Sequence, residues 1–185
     1  MKIFDSYQQA VKFAFLLGTG PETPQISHEQ QVRMALREAG TNVPAVLLDA
    51  PTLRMIGQFG AAVLGAVALG MMSTERAVLT AHYSTDWEER RTVTAWLQNH
   101  YHVQLSHVAG NPQLVDRIVS RHYIAERDRG QGWTVEDIAS EFKIGYNKLH
   151  KAIALLEKLD GEIHENALAT LAQRLDLPML EAEHA

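Results

Sequence analysis

The chain has 185 residues, enough for one ordinary domain or two small ones, and its 46% hydrophobic content supports a real core and excludes disorder as the default. It contains no cysteine, which excludes disulfides and thiolate metal sites and leads us to expect a reducing, cytoplasmic setting. Net charge is −5 at pH 7, and the balance is also local: residues 110–160 carry eight basic and eight acidic side chains, so no segment has the basic excess of a protein that grips many phosphates unaided.

Ile3, Phe4, Tyr7, Val11, Phe13, Ala14 and Leu17 recur at helical spacing and predict a first amphipathic helix over 3–17. Asp5, Gln8, Gln9 and Lys12 interrupt it, so it does not read as a secretory signal. GTGPETPQIS predicts a loop, His28 to Ala39 a second helix, and GTNVPAVLLDAP another break. Residues 55–72, MIGQFGAAVLGAVALGMM, form the most hydrophobic run, with Gln58 its one polar side chain. The run is mostly alanine and glycine, is short for a membrane span and has no basic cluster at its flank. The expectation is therefore a central helix buried all round, whose small residues admit close neighbours, and no membrane contact.

Ser73 opens a further helix to about Tyr83, and Thr85 or Asp86 caps the next, which continues through Trp87, Val93, Trp96 and Leu97. YHVQLSHVAG, residues 101–110, alternates well enough to form a short strand, but helix end and loop is the preferred reading. Asn111-Pro112 then starts another helix, with proline at its favoured first position. ERAVLTAHYS and VDRIVSRHYI are faintly alike, each an amphipathic stretch carrying a His-Tyr pair near its end. RDRGQG, residues 127–132, is read as a polar turn.

Residues 133–156, WTVEDIASEFKIGYNKLHKAIALL, have helix-turn-helix spacing. Thr134 with Asp137 three places later reads as a capping box, so the first helix should start near Val135. Ile138, Ala139, Phe142, Ile144, Leu149 and Ala152 supply the apolar positions that would pack the two helices together. Lys143, Ile144 and Gly145 make the turn, and Gly145 is read as the position that needs a permissive backbone. Such motifs usually carry glycine where Lys143 stands, and lysine enters the left-handed conformation only at a cost of roughly 1 kcal/mol. The second helix would expose Tyr146, Asn147, Lys148, His150 and Lys151. Asparagine can pair with adenine, lysines can meet guanine edges or phosphates, and tyrosine can touch a thymine methyl or a phosphate. These five are the candidate DNA-binding residues.

The second helix is expected to stop at Gly161, and a last amphipathic helix to run from Ile163 to Leu175. The predicted architecture is all-α and multi-helical with a C-terminal helix-turn-helix. Its expected parts are a scaffold and interaction region over 1–109, a DNA-binding region over 110–178 and an acidic tail over 179–185.

Of the nine histidines, His100, His102 and His107, with His82 or His122 as neighbours, are the ones worth testing for metal ligation. Residues two apart on a helix point about 200° apart, and neither cysteine nor HExxH is present, so we expect no metal and no cofactor. Glu88, Glu89, Arg90 and Arg91 read as a solvated face. No phosphate loop, nucleophile elbow or paired-carboxylate motif is found, and the chain is not expected to be an enzyme.

From about Leu114 to Leu168 the order of features is a helix carrying His122-Tyr123, then IASEF, then IGYNKLHKAIALLEKLDGEI. This resembles the C-terminal part of phage late-gene antitermination proteins of the Q type and, more broadly, the promoter-reading helix-turn-helix of sigma factors. Ile138, Ala139 and Leu149 match the family pattern, while Phe142 stands for leucine and Gly145 for the usual serine. The resemblance implies a factor that binds double-stranded DNA at a promoter and loads onto RNA polymerase, which would share the binding burden and suit a balanced charge. Two other classes fit the same residues: an oligomeric DNA binder like terminase small subunits or plasmid proteins, and a helical interaction protein without nucleic-acid binding. Oligomeric state is left open.

Overall fold

A computed structural model describes residues 2–18, 26–124 and 132–178. Within them the chain is all-α: α1 (Tyr7–Gly18), α2 (His28–Ala39), α3 (Ala50–Gly70), α4 (Ser73–Tyr83), α5 (Trp87–Ala109), α6 (Pro112–Tyr123), α7 (Val135–Glu141) and α8 (Tyr146–Arg174), with one 3-10 turn at Ala45–Leu47. Most of the loop expected at 18–27, most of the RDRGQG turn and the acidic tail lie outside the described residues.

Local chemistry sets most helix starts. Ser27 and Gln30 form a reciprocal capping box at α2, and Gly40 closes that helix in the left-handed conformation. Asp49 caps α3 by accepting from the Thr52 amide, Asp86 caps α5 through the amides of Glu88 and Glu89, and Asn111 caps α6 ahead of Pro112. The first helix starts later than its apolar spacing suggests. Ile3 and Phe4 are buried but precede it, and the Ile3 amide donates to the Pro178 carbonyl at 3.2 Å, tying the two ends of the described chain together.

Three apolar clusters lie along the molecule. Ile3, Phe4 and Phe13 join Val32, Leu36, Leu53 and Ile56 where α1, α2 and α3 meet. Val11, Ala14 and Phe15 of α1 meet Val63 and Val67 of α3, Leu79 of α4 and Ala167 and Leu171 of α8. The largest cluster draws on α4 to α8 and takes residues from both sides of position 109, including Ala81, Leu97, Tyr101, Leu105, Leu114, Ile118, Ile138, Leu149 and Leu156.

Three expectations change. The α3 helix is not buried all round: Leu53, Ile56, Gly57, Gly60, Val63 and Val67 face inward, whereas Leu69 is 93% exposed and Ala61, Ala62 and Ala68 also face outward. Alanine has little apolar area to hide, so the exposed face costs little. The inner face is tightest at Gly60, where a Cβ would fall 2.9 Å from the ring of buried Phe13; at Gly57 it would meet the movable, exposed His28 ring and lie 3.4 Å from Val32. Among the described residues α3 is the one helix long and apolar enough to cross a membrane.

Residues 101–109 are helical rather than helix end and loop. Leu97, Tyr101, Leu105 and Ala109 recur every four residues and are all buried, so α5 continues to its glycine cap at Gly110. The misleading signal was the alternation of Tyr101, Val103 and Leu105, of which Val103 faces solvent.

The last two helices expected are one. The α8 helix passes through Gly161 without a break because Leu149, Ala152, Leu156, Asp160, Ala167 and Leu171 form one buried stripe. Tertiary burial along that stripe outweighs the roughly 1 kcal/mol glycine penalty. A Cβ at Gly161 would meet nothing within 4 Å. Gly161→Ala is accordingly expected to raise stability by about 0.5–1 kcal/mol in urea unfolding, and a loss would show that the position needs its glycine.

Candidate functional site

Among the described residues, two regions carry chemistry beyond packing. The first is the α7–α8 pair. The Thr134 hydroxyl accepts from the Asp137 amide at 3.1 Å, and the Asp137 carboxylate accepts from the Thr134 hydroxyl at 2.7 Å and from the amides of Gly132 and Thr134. These bonds, Thr134's foremost, hold the Asp137 carboxyl below its ordinary range. The start of α7 is latched to α6: Arg117 donates to the Gly132 carbonyl at 2.7 Å and stacks its guanidinium 3.9 Å from the Trp133 ring centre, and Arg121 donates to the Trp133 carbonyl. Arg117 also lies 3.5 Å from Glu141.

The turn differs from expectation in one respect. Lys143 adopts φ 51°, in the left-handed region, whereas Gly145 has φ −69° and ψ 140°, which any residue can adopt. The Ile144 amide donates to the Ala139 carbonyl and the Lys143 amide to the Ser140 carbonyl, the Schellman pairing that ends a helix on a left-handed residue. The permissive position is therefore 143, and Gly145 is the N-cap of α8, where the usual serine of the resembled family would supply a side-chain cap. Lys143→Gly is expected to stabilise the chain by about 0.5–1 kcal/mol, read as a higher urea midpoint. An unchanged or lowered midpoint would place the strain elsewhere.

Ile138, Ala139, Leu149 and Ala152 are buried between α7, α8 and the core, while Phe142 and Ile144 are half-buried against it. Tyr146, Asn147, Lys148, His150 and Lys151 are all exposed on the first two turns of α8. No acidic residue stands in the first turn of α8 and no side chain caps it. The positive end of its dipole is thus offset by no side chain of its own first turn, which carries the exposed Lys148.

Part of the local charge is engaged and part is exposed. Within 110–160, Asp137 serves a cap, Glu141 pairs with Arg117, Asp160 is buried in the core and Asp116 lies 3.7 Å from His102, while Glu136 and Glu157 are exposed. Arg117 and Arg121 are spent holding α6 to Gly132 and Trp133. Lys143, Lys148 and Lys151 stand exposed on the turn and the start of α8.

The second region is a polar cluster inside the largest core. Asp160, in the middle of α8, is 4% exposed. Its Oδ1 accepts from the hydroxyls of Tyr101, at 3.2 Å, and Tyr123, at 2.5 Å. Its Oδ2 lies 2.7 Å from His82 Nε2 and 3.0 Å from His122 Nε2. The His82 contact is a hydrogen bond, whereas His122 Nε2 is buried and not aligned for one. One turn further along α8, His164 Nε2 pairs with the Tyr83 hydroxyl at 2.7 Å.

Burial opposes the charge on Asp160, but the imidazoles of His122 and His82 and the Tyr123 hydroxyl outweigh it and hold its carboxyl far below the usual range. Burial, with the adjacent carboxylate, pushes the Tyr123 and Tyr101 phenols well up, and burial raises Tyr83 to about 12. The tyrosines therefore remain donors at neutral pH. Burial and the neighbouring His82 charge lower His164.

Both His-Tyr pairs noted in the sequence, His82-Tyr83 and His122-Tyr123, converge here from the last turns of α4 and α6. Asp160 was missed because it was placed at a helix end. The available signal was its position four residues after Leu156 on the apolar stripe, where a carboxylate needs partners. The histidines singled out between 100 and 107 do not assemble with the pairs: His100 stacks on Trp96 with ring centres 5.6 Å apart, His102 lies near Asp116, and His107 is exposed.

Comparison with protein-family models, curated proteins and solved structures finds no match.

Proposed function

We propose that the chain is a DNA-binding transcription regulator that presents the first two turns of α8 to double-stranded DNA and acts together with RNA polymerase, as a transcription antitermination factor does. The observation that carries the reading is the row Tyr146, Asn147, Lys148, His150 and Lys151, all exposed on a helix start free of acidic residues and braced by α7. Side chains of these types read base edges and phosphates. The small number of exposed lysines fits a factor whose grip on DNA is shared with a partner. The polymerase part of the proposal rests on the resemblance to Q-type antitermination proteins.

The test is co-purification of the intact protein with RNA polymerase, with and without promoter DNA, beside a salt series of binding to the same DNA. Salt-dependent DNA binding with polymerase capture supports the whole reading. Absence of both removes it.

A second reading, an oligomeric DNA binder, draws on the exposed apolar side chains Met34, Val46, Met55, Leu69 and Met72. Sedimentation of the isolated protein as a stable ring or dimer favours that reading over the first.

A further inference from the structure

We propose that His82, His122 and Asp160 form a binding site for a divalent transition metal of the zinc type, independent of the DNA-facing surface. Three donor atoms, His82 Nε2, His122 Nε2 and one Asp160 carboxylate oxygen, lie within 4.8 Å of one another. They are two borderline-soft imidazoles and one hard oxygen, a set that suits zinc.

The geometry fits a metal better than it fits hydrogen bonding alone. Two imidazole nitrogens address the same oxygen, at 2.7 and 3.0 Å, and only His82 achieves an aligned hydrogen bond. His122 Nε2 is left buried with no aligned partner. A buried ring nitrogen in that state needs either a different acceptor or an electron-pair acceptor. Ligands about 2.0–2.1 Å from a tetrahedral zinc are about 3.3–3.4 Å from each other. Opening the His82 contact by about 0.6–0.7 Å and the His122 contact by about 0.3–0.4 Å, with the two nitrogens adjusted to the same spacing, would admit the ion.

The surroundings supply what a metal ligand set requires. Asp160 Oδ1 is fixed by the Tyr101 and Tyr123 hydroxyls, so Oδ2 is turned toward the histidines, which is the outer-shell support ligating carboxylates depend on. Access is from the His82 side, where the imidazole is 31% exposed and the other two ligands lie deeper. His164, the next imidazole along α8, is engaged with Tyr83 and is not assigned as a ligand. With three protein ligands, a fourth coordination position is left for water. The ligands come from α4, α6 and α8, so the ion would fasten three helices whose ligands are far apart in the chain.

The experiment uses the full-length chain, stripped with a chelator and titrated with Zn²⁺ against a chromogenic competitor and with Co²⁺ by visible absorption. The expected result is one equivalent bound, a visible Co²⁺ spectrum of tetrahedral intensity, and a higher melting temperature with Zn²⁺. His82→Ala, at the exposed edge of the site and checked for native helicity by circular dichroism, and His122→Ala should each weaken binding at least about tenfold. His102→Ala, outside the cluster, should leave it unchanged. Absence of saturable binding by the wild type overturns the site, as does undiminished binding in either His82→Ala or His122→Ala. Since neither readout involves DNA, failure here leaves the DNA-binding proposal where it was, and the reverse also holds.

Discussion

Asp160→Ala is expected to cost about 3–5 kcal/mol of stability, the largest effect of any single substitution considered, because one carboxylate serves four side chains from three other helices. Tyr101 comes from α5, Tyr123 and His122 from α6, and His82 from α4. Truncation would take the carboxylate acceptor from two buried phenols, leaving them only each other at 3.4 Å, and would remove the hydrogen-bond partner of His82 Nε2. Asp160→Asn is the control: its amide oxygen can still accept from both tyrosines, so a loss of only about 1–2 kcal/mol is expected. Urea unfolding of the three proteins, followed by circular dichroism, decides the matter. If Asp160→Ala unfolds at the wild-type midpoint, the carboxylate does not organise these helices and the cluster is a passive inclusion in the core.

The second large effect falls on the start of α8, the proposed DNA-contacting end. Lys148→Ala with Lys151→Ala should weaken DNA binding about tenfold or more at physiological salt, and make the slope of log affinity against log salt shallower by about two. Both side chains are exposed, so the double variant should retain the wild-type unfolding midpoint. Lys158→Ala provides the comparison, since Lys158 is exposed on the same helix but further along it, 3.8 Å from Glu162. It should bind DNA like the wild type. Full-strength binding by the Lys148→Ala, Lys151→Ala variant across the salt series would remove the start of α8 as the DNA-contacting surface.

The sequence was most legible where local chemistry decides the outcome. The capping box of Thr134 and Asp137, the start of α6 at Asn111-Pro112, and α2 from His28 to Ala39 are all written in a few adjacent residues. It misled where burial overrides a local signal. Gly161 is a helix stop by propensity, yet it lies in a helix whose apolar stripe continues on either side of it. Gly145 draws attention as the flexible residue of its turn, although hydrogen bonds to Ala139 and Ser140 put the left-handed strain two places earlier, on Lys143.

The five candidate DNA-binding residues could be picked out because a helical period predicts which face is exposed. The Asp160 cluster could not be assembled the same way. Its members are spread over four helices, and their meeting depends on how those helices pack, which no local spacing encodes. What the sequence did hold was the repeated His-Tyr pair and an aspartate in register with leucines.

The unbroken course of α8 has a mechanical consequence. At 1.5 Å per residue its 29 residues form a strut about 43 Å long. One end displays Tyr146 to Lys151, and the other wedges Ala167 and Leu171 between α1 and α3. A partner that takes hold of the α1–α3 end therefore also fixes the direction in which the far end points, with no hinge between them to absorb a misfit. Such a strut acts as a ruler, setting the distance and angle between whatever is held at one end and whatever is touched at the other.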